Sequence, residues 1–62
     1  MTVKEMASLI GEIAIYPVKE MEFEVEIIDA RTRFGNVDVE IAPVKGNGSS
    51  WVSRDSIRIV RG

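Results

Sequence analysis

The chain of 62 residues contains no cysteine and no histidine. Their absence removes the thiolate nucleophile, the usual general base near neutral pH and nearly all zinc and iron coordination spheres. It also removes any disulfide, so the fold must stand on packing alone. A chain this short buries only about 60% of the surface its unfolded form exposes, and such a core contributes roughly 3–5 kcal/mol. Aromatic residues make up 6% of the chain, too few to line the grooves and cages that recognise proline-rich or methylated peptides. No run approaches the ~20 apolar residues needed to span a bilayer. The apolar residues near the start are broken up by Lys4, Glu5, Ser8, Gly11 and Glu12, unlike the core of a signal peptide. Lack of cysteine is compatible with a reducing compartment. A soluble protein of the cytoplasm, with no membrane partner, is expected.

Basic charge is scarce as well. A net charge of -2 and a pI near 5.0 argue against a protein whose main task is to coat nucleic acid. The charges are unevenly placed: five acids and no base lie between Glu20 and Asp29, whereas Arg31, Arg33, Arg54, Arg58 and Arg61 all follow. A local basic edge is therefore compatible with the acidic total. Phosphate-cradling motifs are missing, since Gly46-Asn47-Gly48 runs into Ser-Ser-Trp and not into a lysine that opens a helix. Carboxylates are plentiful, but acid–base work needs one of them desolvated beside a substrate, and a domain this small has little room for such a pocket. No enzymatic activity, cofactor or metal is expected.

What the chain does have is strict alternation. Glu22-Phe23-Glu24-Val25-Glu26-Ile27 places every apolar side chain on one face only if it is an extended strand. The expected order begins with residues 1–10, read either as a short helix or as a flexible leader. Thr2 and Glu5 fit a capping box, Met6, Leu9, Ile10 and Ile13 recur at helical spacing, and Gly11 fits a helix stop. Residues 11–62 then form the sheet domain. In the first strand Ile13 and Ile15 point one way and Glu12, Ala14 and Tyr16 the other, until Pro17 ends it. The second runs from about Met21 to Asp29 with Phe23, Val25 and Ile27 inward. A connection at 30–35, with Gly35-Asn36 tolerant of positive φ, leads to a third strand with Val37, Val39 and Ile41 inward, closed by Pro43. Gly46-Asn47-Gly48 predicts a hairpin into a fourth strand starting at Trp51 and Val52. Ser53-Arg54-Asp55-Ser56 has the character of a single helical turn before a last strand with Ile57 and Ile59 inward. The sum is an all-β domain: five short antiparallel strands in a partly open small barrel.

In that order, residues 11–60 resemble an SH3-like small barrel, with Ser53–Ser56 in the place of its short 3₁₀ turn. More narrowly, Phe23-Glu24-Val25-Glu26-Ile27-Ile28-Asp29-Ala30-Arg31, then Gly35, then Ala42-Pro43-Val44 with Gly46, Gly48 and Trp51-Val52, resembles small uncharacterised proteins encoded in bacteriophages and prophages. The resemblance implies a viral accessory role, in the host cytoplasm, and carries no catalytic motif.

Two surfaces compete for a role. With strands two and three paired, Glu22, Glu24 and Glu26 are expected to share an outer face with Asp38 and Glu40, as a solvated face or as an acidic surface that imitates nucleic acid. Arg31 and Arg33 flank Thr32 beside Phe34, and arginine with an exposed aromatic is the minimal pairing for stacking on single-stranded bases. Arg54, Arg58 and Arg61 extend that patch only if the loops converge. Phe23 reads as core, and Trp51 as a half-buried lid or a partner hot spot. The expectation is a non-enzymatic protein-interaction module using Arg31, Arg33, Phe34 and Trp51. The alternatives are nucleic-acid binding through the arginine-rich loops, acidic inhibition of a host nucleic-acid-binding enzyme, and self-association through strand edges.

Overall fold

The computed structural model describes residues 3–60. In chain order they form helix α1 (Val3–Leu9), strands β1 (Ile13–Val18), β2 (Met21–Arg33), β3 (Asn36–Pro43) and β4 (Ser50–Ser53), a 3₁₀ turn at Arg54–Ser56, and strand β5 (Arg58–Ile59). All five strands lie in one antiparallel sheet in the order β4-β3-β2-β1-β5, and among the described residues the edge strands β4 and β5 do not pair with each other. The protein is thus a small all-β domain with an open five-stranded antiparallel sheet and one short N-terminal helix.

Seven residues are too few to hold a helix in water without docking. α1 docks by burying Leu9 in the core of the sheet, with Met6 half-buried one turn earlier. Gly11, at φ 94°, stops it: the Gly11 N–H donates to the Ile27 carbonyl at 2.7 Å and the Glu12 N–H to the Leu9 carbonyl at 3.1 Å. Thr2, the expected cap, lies outside the described residues.

The core consists of Leu9, Ala14, Val25, Ile27, Val39, Ile41 and Ile57, with Tyr16, Ala30, Val37, Val52 and Ile59 packed against it. The inward sets expected for β2, β3 and β5 are found there, apart from Phe23. β1 alternates as expected, and its inward face is the one that carries the smaller residue: Ala14 is fully buried and Tyr16 joins the core, while Ile13 and Ile15 lie on the other face opposite Glu26 and Glu24. The reason is register. The tight turn at residues 19–20 pairs Val18 with Met21, which brings Ala14 opposite Val25, and residues directly opposite share a face. Phe23 is 42% exposed because the β2–β3 ladder stops at Val25–Pro43, leaving Phe23 at an uncovered corner opposite Tyr16.

Pro17 does not end β1, which continues to Val18. The Ile13 carbonyl accepts from the Val60 N–H on the β5 side, and alternation turns the polar groups of Pro17 to that side too. β5 reaches only Ala14 and Ile15, so the missing N–H leaves no ladder bond unmade. β2 likewise runs past Asp29 to Arg33. Its pairing with β3 shifts between Ile27 and Asp29, leaving Ile28 as an extra residue. The turn that follows is Phe34–Gly35, one residue earlier than expected, with φ 51° and 80°. The hairpin through residues 46–48 and the 3₁₀ turn fall where expected, and the Ser53 hydroxyl oxygen accepts from the Asp55 N–H at 3.3 Å.

Candidate functional site: the β2–β3 hairpin and its tip

The bulge at Ile28 decides what this hairpin presents. Before it, odd-numbered residues of β2 face the core; after it Ala30 faces Val39 on the core side, and Asp29, Arg31 and Arg33 turn outward. If Ile28 took a regular place in the ladder instead of bulging, strict alternation would send both arginines into the core. The bulged residue itself is an isoleucine 41% exposed to solvent.

The outward residues meet across three strands. Arg31 stands opposite Asp38, Asp38 opposite Ser53, and Glu40 opposite Trp51. Asp38 is the hub. Its Oδ2 lies 3.3 Å from Arg33 Nε and 3.9 Å from Arg31 Nε, with its side chain only 11% exposed beneath theirs. The Arg31 guanidinium carbon sits 4.1 Å from the centre of the Trp51 ring, a cation–π stack between β2 and β4. Glu40 accepts a 2.8 Å hydrogen bond at Oε2 from the Ser49 hydroxyl, which ties the loop before β4 to the same face.

Phe34 caps the hairpin beside this cluster. Both central residues of its turn have positive φ, as a type I′ turn demands, and that geometry favours Asn-Gly or Gly-Gly. A phenylalanine there is held in the left-handed region, and the residue is 96% exposed. With so little of it covered, the ring contributes almost nothing to the packing of the described residues.

The structure therefore gathers Arg31, Arg33 and Trp51 into one surface and places Phe34 at its end. It does not extend the patch to Arg58, which lies on the opposite edge strand and pairs with Glu22 at 3.2 Å. Arg54 is half-buried in the 3₁₀ turn, and Arg61 lies outside the described residues. Glu22, Glu24 and Glu26 share the outer face with Asp38 and Glu40, as expected, but do not stand opposite them: they oppose Pro17, Ile15 and Ala42, Asp38 opposes Arg31, and Asp29–Glu40 is the one acid–acid pair in the β2–β3 register. Among the described residues no group of three or more carboxylates could hold a metal ion, and no helix is long and apolar enough to cross a membrane.

Sequence reasoning missed Asp38 as the hub and Ile28 as the bulge. The signal for the second was present, since Ile27-Ile28 is an apolar doublet in an otherwise alternating run. Comparison with known protein families, with curated proteins and with solved structures finds no match. The functional reading rests on this geometry.

Proposed function

We propose that the protein is a non-enzymatic protein-interaction module, a partly open SH3-like barrel of the phage-accessory kind, which engages its partner through the β2–β3 hairpin. The observation that carries this reading is Phe34, an aromatic ring almost wholly in solvent on a backbone conformation that disfavours it. An exposed aromatic beside arginine and tryptophan has the make-up of an interface hot spot. The strand order and the 3₁₀ turn before β5 support the SH3-like reading of the sheet.

The rival reading, single-stranded nucleic acid, draws on the Arg31–Trp51 stack. Charge weighs against it: on this face two arginines meet three acids, Asp29, Asp38 and Glu40, and both arginines are turned onto Asp38. Phosphate neutralisation needs cations free to displace counterions.

The test is a pull-down from source-cell lysate with wild type, Phe34→Ser and Arg31→Ala/Arg33→Ala, with and without nuclease. A protein that survives nuclease and is lost with Phe34→Ser supports the proposal. Recovery of nucleic acid, with every protein lost on nuclease treatment, overturns it in favour of the rival.

A further inference from the structure

The other end of β2 carries a second surface that the hairpin reading does not use. β3 gives out early: the last β2–β3 pair is Val25–Pro43, followed by one bond from the Val44 N–H to the Glu24 carbonyl at 3.1 Å. β2 nonetheless continues back to Met21, held on its far side by β1 through Tyr16–Phe23, Pro17–Glu22 and Val18–Met21. Glu24 turns its carbonyl toward β3, and in an antiparallel ladder every second residue turns the same way. The N–H and C=O of Glu22 therefore point into the space where β3 would have continued. A groove of about 300 Å³ opens there, lined by Glu22, Phe23, Glu24, Pro43, Val44 and Lys45. That is the lower end of the size range of ligand pockets.

Its chemistry is two-sided. Phe23, Pro43 and Val44 supply an apolar floor, with Phe23 and Val44 each more than a third exposed. Glu22 and Glu24 supply an acidic wall on the β2 side, and Lys45 a single cation on the other. Glu22 is shared with Arg58 at 3.2 Å, whereas the Glu24 carboxylate has no partner among the described residues.

We infer that this notch is a docking site for an extended peptide segment of a partner protein, one that alternates apolar and basic side chains. The peptide adds as a short strand beside residues 21–24, in place of the missing end of β3. Its backbone meets the free polar groups of Glu22, its apolar side chains seat on Phe23 and Pro43, and its basic side chains face Glu22 and Glu24. Alternation is required because a strand sends successive side chains to opposite faces, as β2 does with Phe23 and its flanking glutamates. The site is independent of the hairpin tip, which lies at the far end of β2.

The test is NMR titration of the ¹⁵N-labelled full chain with three synthetic peptides: alternating arginine and leucine, alternating glutamate and leucine, and alternating arginine and serine. The arginine–leucine peptide is expected to shift the amides of residues 22–24 and 44–45 saturably, binding about tenfold tighter than either control, as loss of the apolar floor or of the charge match dictates. Glu24→Lys, an exposed change that leaves the core intact, is expected to weaken that peptide and admit the glutamate–leucine one. Equal binding of all three peptides, shifts centred on Phe34 and Gly35, or no reversal in Glu24→Lys overturns the inference. So do concentration-dependent shifts at the notch without peptide, which would assign it to a second copy of the chain.

Discussion

Replacing Phe34 by asparagine should make the protein more stable, although it deletes an aromatic side chain. The residue is 96% exposed, so removal of its ring returns almost no apolar surface to water. The backbone at φ 51° is another matter. Placing an ordinary L-residue in the left-handed region costs roughly 1–2 kcal/mol, and asparagine carries less of that penalty because its short polar side chain bonds locally. Asparagine followed by Gly35 would also be the preferred pair for a two-residue hairpin turn. A net gain of about 0.5–1 kcal/mol follows, which for a domain of this size raises Tm by roughly 2–8 °C. Thermal unfolding followed by circular dichroism reads the shift, and urea titration should show a higher midpoint with an unchanged slope. Phe34→Val, which puts a β-branched side chain in the same conformation, should move Tm the other way. A fall in Tm for Phe34→Asn would refute the reasoning, because it would mean that the ring contributes packing or that the turn is not strained. A rise together with loss of partner capture would show a residue kept for binding at the expense of stability.

Three further outcomes are expected. Deleting Ile28 should leave a domain that still unfolds cooperatively by calorimetry, because Ile27 and Asp29 already pair with the adjacent Ile41 and Glu40 and both arginines keep their outward face, and Ile28→Thr, on the exposed bulge, should cost under about 1 kcal/mol. Ile27→Ala empties a fully buried site at a cost of about 2–5 kcal/mol, which equals most of what a core this small supplies, so circular dichroism at 25 °C should show a largely unfolded population. Asp38→Asn should lower the urea midpoint by an amount worth about 0.5–1.5 kcal/mol through the loss of both arginine contacts. Added salt should narrow that gap, since both arginines are largely exposed.

How much of this was legible in the sequence depended on whether a local pattern or a pairing decided the outcome. Val25, Ile27, Val39 and Ile41 read correctly as core, since alternation alone assigns a face once one residue is inward. The 3₁₀ turn was legible because Ser53 carries its own capping group. In β1 the alternation was legible but not which face turns inward, since that depends on the turn that pairs Val18 with Met21. Phe23 misled for a related reason. Its position in the pattern is a core position, but burial needs a neighbour on each side, and β3 ends before reaching it. At the hairpin, composition singled out Arg31, Arg33, Phe34 and Trp51, while the contact that joins the arginines, Asp38, emerged only from a register that a single bulged residue sets.

The placement of the misfits is informative in its own right. The middle of β2, from Val25 to Ala30, sits between β1 or α1 on one side and β3 on the other, and its inward residues are covered. Local rules fail at its two ends. One end has a phenylalanine in a glycine conformation with its ring in solvent, and the other has a half-exposed phenylalanine beside a strand edge without its partner. A chain whose core yields only about 3–5 kcal/mol has little stability to spare for such features. Natural sequences tend to break consistency between local preference and global fold where function requires it. Both departures are exposed aromatics, and each stands beside charged side chains of the sheet's outer face: arginines at the tip, glutamates at the notch. The two surfaces lie at opposite ends of β2 and share no residue, so disabling one end by Phe34→Ser should leave peptide binding at the other unchanged.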